Sequence, residues 1–326
     1  MGPPLRCLSH LILTLLLPLT AIAARPAAAE TYPSGPIRII VGFGPSSTAD
    51  IVARLVGKFI EERLGQPVVV ENRPGNSSMT AAEAVGRAPN DGRTLFMATV
   101  ANTLNPARTD GGFDLLKNMQ PIALLGVVPN VLVTNPSVNV KTVRELIALA
   151  KAKPESLTFG TSGQWTASHL AAEMFNFQAG TKIVSVPYQG GANQAVSDLL
   201  TGRINLMFNV AVSLVPQVNA GKLTALAVGQ PKRTDIMPDV PTMEEAGMPG
   251  FDVGIWIGLL APAGTSSDIV ETLSKAANDA VKQDSVKTAL KVQGIDVIGS
   301  SPKEFSDFIG KDIRKWKDVL AATGLR

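Results

Sequence analysis

The stretch Ile37–Val56, IRIIVGFGPSSTADIVARLV, decides how the rest of the chain is read. An apolar run, Ile37–Val41, leads into a Gly-Pro-Ser-Ser loop and then into apolar residues at helical spacing. That pattern predicts a strand, a tight turn and a helix over Thr48–Leu64 stopped by Gly65. The first N–H groups of such a helix have no partner inside it, and the helix dipole adds partial positive charge. Its start is therefore suited to a carboxylate or a phosphate. Three hydroxyls, Ser46, Ser47 and Thr48, crowd that start, which is more than one N-cap needs.

Outward from this segment, strand and helix patterns alternate. Pro67–Glu71 reads as a strand, Ser78–Arg87 as a helix and Thr94–Ala98 as a strand, the βαβαβ order of a parallel sheet with helices on both faces. Asn102–Gln120 reads as irregular. The apolar segment Ile122–Val133 is too long for one strand and is interrupted by Pro129, so it reads as a crossing between two lobes. The alternation then repeats. A helix over Val143–Ala152 sits behind the capping box Thr142/Glu145, and strand Leu157–Thr161 and helix Thr166–Gln178 follow. Strand Ile183–Val186, helix Gly191–Leu200 and strand Ile204–Asn209 come next, and Leu223–Val228 reads as a return crossing. Beyond strand Val253–Leu260, Ser301-Pro302 with Glu304 announces a last helix. Its stripe of Phe305, Phe308, Ile309, Ile313, Trp316 and Leu320 predicts packing on a lobe.

The expected fold class is α/β, with two lobes built on central, mostly parallel sheets flanked by helices and joined by a two-strand hinge. Residues 30–126 and 229–326 are assigned to lobe 1 and 127–228 to lobe 2. Ligands of open α/β sheets sit beyond the C-terminal ends of the strands. The loops after Val41, Glu71, Ala98, Thr161, Val186 and Phe208 are thus expected to border one cleft.

The first 29 residues read as a secretory signal peptide: Arg6 in the n-region, Leu11–Leu19 as a short apolar core, and Ala27-Ala28-Ala29 as the cleavage site, with Ala23 or Ala24 as an alternative cut. The core is shorter than the roughly 20 residues a spanning helix needs. Removing this segment takes Arg6, Arg25, Cys7 and His10 with it, and leaves 28 basic against 27 acidic residues. No basic run with interleaved aromatics remains, which argues against a nucleic-acid partner. No cysteine remains either, so the mature chain has no disulfide, thiol nucleophile or Cys-ligated metal.

Several motifs compete for a chemical reading. GFGPSS at Gly42–Ser47, with Glu71 ending the next strand, approaches a dinucleotide fingerprint; Ser47 stands where the third glycine belongs, and the acid lies beyond the expected spacing. A plain Gly-Pro turn is the simpler structural alternative. His169, the one histidine left in the mature chain, would have to serve any Ser-His-Asp triad, yet no G-x-S-x-G elbow exists. Gly160-Thr161-Ser162-Gly163 lacks the final glycine. A metal site is disfavoured because no second histidine or cysteine can join it. Trp165 lies in the loop SGQWT, where contact with a ligand or the opposite lobe explains it better than a core role. Asn76-Ser77-Ser78-Met79 offers neutral donors at another helix start, with a simple cap as the alternative.

The ordered motifs YPSGPIRIIVGFGP (Tyr32–Pro45), LGQPVVVENRPG (Leu64–Gly75), DGRTLFM (Asp91–Met97), VPYQGGA (Val186–Ala192) and DVPTMEEAGMPGF (Asp239–Phe251) run through the mature chain. In them the sequence resembles the Bug, or TctC-like, extracytoplasmic solute receptors of tripartite tricarboxylate transporters. The resemblance implies a type II-like, two-lobed periplasmic binding protein. Such a protein is a receptor rather than an enzyme, carries no cofactor, acts as a monomer, and delivers a small carboxylate to large and small membrane permease subunits. It also implies a ligand site from Phe43, Ser46, Ser47, Thr48, Ser78 and Met79 of one lobe and Ser162, Gln164, Trp165, His169 and Asn209 of the other. Family members usually carry Gly-Gly at Ser46-Ser47, and many carry Asp where this chain has Asn209. Losing that charge disfavours an amino-acid ammonium and suits a carboxylate. With Trp165 as an aromatic wall, the expectation is an aromatic dicarboxylate such as terephthalate, ahead of a C4–C6 aliphatic diacid. A periplasmic sensor subunit is an alternative with the same fold. An exported carboxylate-processing enzyme would need a base and nucleophile pair that His169 alone does not supply.

Overall fold

The computed structural model describes residues 32–108, 113–164, 166–188 and 191–323, together with Gly2. The segment read as an export signal, Gly2 apart, and Trp165 lie outside the described residues. All elements below belong to the unit Pro33–Arg326.

The first half runs β1 (Ile37–Val41), α1 (Thr48–Leu64), β2 (Val68–Asn72), α2 (Met79–Gly86), β3 (Thr94–Thr99), α3 (Ala101–Arg108), α4 (Leu115–Asn118) and β4 (Met119–Val128). The second part continues β5 (Asn130–Thr134), α5 (Val143–Ala152), β6 (Thr158–Thr161), α6 (Ala167–Ala179), β7 (Val184–Pro187), α7 (Ala192–Leu200), β8 (Leu206–Val210), α8 (Ala211–Asn219) and β9 (Thr224–Val228). After a long connection come β10 (Ile255–Pro262), α9 (Ser267–Lys282), α10 (Asp284–Val292), β11 (Asp296–Val297) and α11 (Pro302–Thr323).

These strands form two sheets, ordered β11-β4-β10-β3-β1-β2 and β7-β6-β8-β5-β9. In the first, β1 pairs parallel with β2 and β3, while β10 lies antiparallel between β3 and β4. Hence β1 to β4 share one direction, and β10 and β11 are inverted. In the second, β6 pairs parallel with β7 and β8, and β5 runs antiparallel to both β8 and β9. The sheets are therefore mostly parallel in direction, with inverted strands where the chain passes between them.

The passage sits at Pro129. Val127 and Val128 still pair with β10, whereas Asn130 already pairs with Val210 at the C-terminal end of β8. Both sheets thus turn the C-terminal edges of their parallel strands toward the same crossing. The Pro129 carbonyl accepts from Ala211 N–H at 2.8 Å, and the Asn130 carbonyl accepts from Gly229 N–H at 2.7 Å. Gly229 in turn accepts from Val253 N–H at 2.7 Å, and the buried Asn130 side chain donates to the Val253 carbonyl at 2.8 Å. The passing segments are therefore stitched to one another and leave few of their polar groups unpaired.

Local sequence explains most elements. Ser47 caps α1, and Gly65 closes it in the left-handed region at φ 70°, donating its N–H to Glu61. The Thr142/Glu145 and Ser301/Glu304 boxes form, with Glu145 and Glu304 N–H groups on the hydroxyls at 3.1 and 3.2 Å. The apolar stripe of α11 buries Phe305, Ile309, Trp316 and Leu320 as expected. Three helices depart from the sequence reading. Residues read as irregular hold α3 and α4; α3 is fixed by tertiary bonds, since buried Thr103 donates to Asp312 Oδ2 at 2.6 Å. Helix α8 carries Pro216 in its interior, which masks its periodicity in sequence.

Candidate functional site

The loop after β1 is set by its own helix. Ser46 adopts φ 64°, and its N–H donates to Asp50 Oδ2 at 3.0 Å, while Asp50 N–H donates to Ser47 Oγ at 3.3 Å. The buried Asp50 carboxylate also accepts from Arg54 Nε at 3.1 Å and from Asn72 Nδ2 at 2.9 Å, and the same Asn72 amide donates to the Phe43 carbonyl at 3.0 Å. Burial alone would push this carboxyl up, but Arg54, Asn72 and the Ser46 N–H outweigh it and hold the group below the usual carboxylate range. Asp50 thus spends the Ser46 and Asp50 N–H groups on the loop itself. What the start of α1 still offers an anion is its Thr48 and Ala49 N–H groups and the hydroxyls of Ser46 and Thr48, which have no partner among the described residues.

The loop after β2 packs beneath this one. Asn76, Ser77 and Ser78 take positive φ of 45°, 49° and 74° in succession, a left-handed turn made without glycine. It brings Ser78 so close that a Cβ on Gly42 would lie 2.7 Å from Ser78 Cα, so only glycine fits at position 42. Ser78 is fully buried there and its Oγ has no partner among the described residues. Met79 is buried as well; its sulfur accepts from Asn102 Nδ2 at 3.7 Å, and Asn102 Oδ1 accepts from Thr99 N–H at 3.0 Å. Ser78 and Met79 therefore support the loop from below, with their surfaces closed to solvent.

Across the crossing, the β6–α6 loop gathers hydroxyls. Ser162 N–H donates to Ser168 Oγ at 2.9 Å, the two hydroxyls lie 2.9 Å apart, and the α6 cap Thr166 stands 3.0 Å from Ser168 Oγ and donates to the Gly163 carbonyl at 2.7 Å. Gln164 is exposed beside them. His169 follows in the first turn of α6, buried, its Nε2 3.9 Å from Glu173 Oε1, which itself accepts from Ser185 Oγ at 2.5 Å. Burial pushes the imidazole below its usual range, with the Glu173 charge opposing.

The parallel register of β6 and β8, Gly160 opposite Met207, brings Ser162 level with Asn209. Asn209 is buried and donates to Ser213 Oγ at 3.3 Å, and Ser213 donates to the Val210 carbonyl at 2.7 Å. The starts of α7 and α8 at this same edge carry no side-chain cap, although the first N–H of α8, that of Ala211, is already taken by the Pro129 carbonyl. Among the described residues, no cluster of histidine, cysteine and carboxylate side chains could hold a metal ion, and no helix is long and apolar enough to cross a membrane.

Of the sequence-derived site, the structure brings together Phe43, Ser46, Ser47 and Thr48 over Ser78 and Met79, and separately Ser162, Gln164, His169 and Asn209. The residues that position the first group, Asp50, Arg54 and Asn72, went unnoticed in the sequence. Their one local signal is the Ser47-x-x-Asp50 spacing with Arg54 one turn on.

Two α/β sheets whose strand ends and helix starts face one crossing define a two-lobed binding protein of the periplasmic type. The family model of the tripartite tricarboxylate transporter family receptor, TctC, matches residues 52–325. The chain belongs to this family of solute-binding receptors, whose members are not enzymes. It is 33% identical to Protein BugT of Bordetella pertussis over 94% of this chain and 95% of that one. Among solved structures it is similar to Rpa4515 of R. palustris, determined with adipate, at 31% identity and a TM-score of 0.72, covering 90% of this chain and 98% of that one. It is also similar to a TctC solute-binding protein from Polaromonas, determined without ligand, at 27% identity and a TM-score of 0.82, covering 89% of this chain and 99% of the other.

Proposed function

We propose that the chain is a periplasmic receptor that captures a small dicarboxylate by closure about the Pro129 crossing and hands it to the two membrane subunits of a tripartite transporter, after loss of a signal peptide ending near Ala29. The observation that carries this reading is the presence of two separate donor-rich edges. Ser46 and Thr48 with the free N–H groups of α1, and Ser47 through its hydroxyl proton, would hold one carboxylate. Ser162, Gln164, His169 and Asn209, with the uncapped starts of α7 and α8, would hold the other. Each hydrogen bond to a charged group contributes about 1.5–3 kcal/mol, so a few suffice for micromolar affinity. A ligand that bridges both edges stabilises the closed arrangement by contacts the open one lacks.

A tryptophan in the SGQWT segment, taken from the sequence as an aromatic wall, favours a flat body between the carboxylates, and an aromatic dicarboxylate such as terephthalate is the ligand this reading puts first. The adipate in the R. palustris relative favours an aliphatic diacid as the second reading. A thermal-shift screen separates them: a ligand at 100 times its dissociation constant adds about 2.7 kcal/mol of stability. Terephthalate should give the largest shift. A shift with adipate and none with terephthalate installs the aliphatic reading, and a shift with neither but with an amino acid overturns the dicarboxylate assignment.

A further inference from the structure

A cavity of about 840 Å³, lined by none of the candidate cleft residues, lies between β11, α10, the face of β4 and the segment that follows Gly229. That is within the range of small-molecule sites, roughly 300–1,000 Å³. Its floor is apolar and partly aromatic, with Leu124, Trp256, Ile295 and Phe308. Trp256 and Phe308 meet edge to face with centroids 5.9 Å apart.

The buried polar groups of this cavity are acceptors with few donors: among the described residues the cations of its lining, Lys232, Arg233, Lys287 and Lys291, make no hydrogen bond or ion pair with them, Arg233 being paired with Glu245 and Lys291 with Asp235. Gln230 is 5% exposed, donates Nε2 to Asp296 Oδ2 at 2.9 Å, and leaves its Oε1 with no hydrogen-bond partner among the described residues. The Asp296 carboxylate accepts one further bond, from Thr234 Oγ1 at 3.2 Å. Among the described residues the Asp252 carboxylate accepts only the Gly254 N–H at 3.2 Å, and its charge is eased from a distance by Lys315, whose ammonium is already bound to Asp312 at 2.6 Å and to the Asp252 carbonyl at 2.7 Å. Gln230 stands between the two carboxylates: its amide reaches Asp296, and it flanks Gly254 together with Asp252, since a Cβ there would lie 3.6 Å from Asp252 Oδ1 and 3.8 Å from Gln230 Cβ. Burial pushes both carboxyls upward, so a bound cation would restore what each loses on leaving water. A buried amide oxygen left without a donor costs stability unless a ligand supplies one, and a primary ammonium brings three donors.

We propose that this cavity is a second binding site, distinct from the cleft, that takes a small primary amine with an apolar or aromatic body, its ammonium on Gln230 Oε1 and the Asp252 and Asp296 carboxylates. Gln230 directly follows Gly229, whose N–H and carbonyl stitch the crossing, so an occupant here acts on the segment about which the two sheets move.

The test uses 2-phenylethylamine as the probe and the ¹⁵N-indole signals of the purified protein as the readout, with Trp256 assigned by Trp256→Phe. The Trp256 signal should move on titration while that of Trp316, which does not line the cavity, stays in place. Gln230→Leu should weaken binding by about tenfold or more. If that variant fails to fold, Asp252→Asn carries the same expectation. No movement of the Trp256 signal at about 10 mM amine, equal affinity in the variant, or tighter binding of 3-phenylpropionate drawn by Lys232 and Lys287 at the mouth would each overturn the proposal. None of these outcomes bears on dicarboxylate binding in the cleft.

Discussion

Asn72 Nδ2 donates to Asp50 Oδ1 at 2.9 Å, tying the end of β2 to the first turn of α1. Through this bond the strand that carries no ligand candidate of its own fixes the loop that carries four. The helix start is preorganised by an internal carboxylate, and an external one has to use the donors that Asp50 leaves over.

Asp50→Asn keeps the shape and removes the charge that Arg54, Asn72 and the Ser46 N–H share. Hydrogen bonds to charged groups contribute about 1.5–3 kcal/mol, and a loss of that order is expected at neutral pH. The carboxyl is held low in the folded protein, so its contribution is present above the unfolded value of about 3.9 and is lost as pH falls through the folded one. Urea denaturation should therefore show a gap between wild type and variant that is full at pH 7 and closes in strong acid. A gap that stays constant with pH would mean the charge is not what anchors the loop.

Ser78→Gly should stabilise the protein. The serine sits at φ 74° with a buried hydroxyl that has no partner among the described residues, crowding Gly42. Left-handed backbone costs a non-glycine residue about 1–2 kcal/mol, and glycine returns about 0.4–1 of that through the unfolded chain. A net gain of up to about 1 kcal/mol is expected by chemical denaturation, with the buried hydroxyl's removal adding to it. Gly42→Ala should do the reverse and cost about 2–3 kcal/mol, because the Ser78 backbone cannot yield. Destabilisation by Ser78→Gly would show that the hydroxyl has a role the orphaned geometry does not reveal.

Much of this architecture was legible along the chain, and the illegible part has a physical pattern. Helix α1 with its Gly65 stop, the Thr142/Glu145 and Ser301/Glu304 caps and the break at Pro129 are local features, written within a few residues of where they act. The contacts that shape the site join residues far apart in sequence: Asn72 with Asp50, Ser78 with Gly42, Thr103 with Asp312. No window of periodicity contains both partners. The inverted placement of β10 between β3 and β4 is likewise a matter of pairing, since a buried apolar strand carries no mark of its direction. The strand-end rule and the family resemblance pointed to these loops as candidates, yet neither gave a sign that Ser78 and Met79 lie beneath one of them.

His169 should leave a mark on the acid limb of stability. Its imidazole is lowered by burial, so below the ordinary value of about 6.5 the unfolded chain binds a proton that the folded one resists. Stability therefore rises with pH up to that value and levels off above it. His169→Gln should flatten the rise in melting temperature between pH 5 and pH 7. An unchanged slope would place the titration elsewhere, and a slope of opposite sign would mean that Glu173, at 3.9 Å, outweighs burial.

Asn209→Asp tests the charge logic of the second edge. The side chain stands at the C-terminal end of β8, level with Ser162, and its amide now reaches Ser213 Oγ at 3.3 Å. An aspartate of nearly the same size has no N–H to give Ser213 and would have to draw the hydroxyl proton that now goes to the Val210 carbonyl, so a modest fall in the melting temperature of the free protein is expected while the fold holds. What changes is a unit of negative charge facing the carboxylate that this edge is proposed to hold. Two like charges about 5 Å apart at an effective dielectric near 20 repel by about 3 kcal/mol, and partial protonation and water reduce that to a loss of roughly 10- to 100-fold in dicarboxylate affinity. Calorimetric titration of both forms with the best ligand of the screen measures it. Equal affinity would remove Asn209 from the site, whereas a variant that loses the diacid and gains an amino acid would show that this one position sets which end group the second edge accepts.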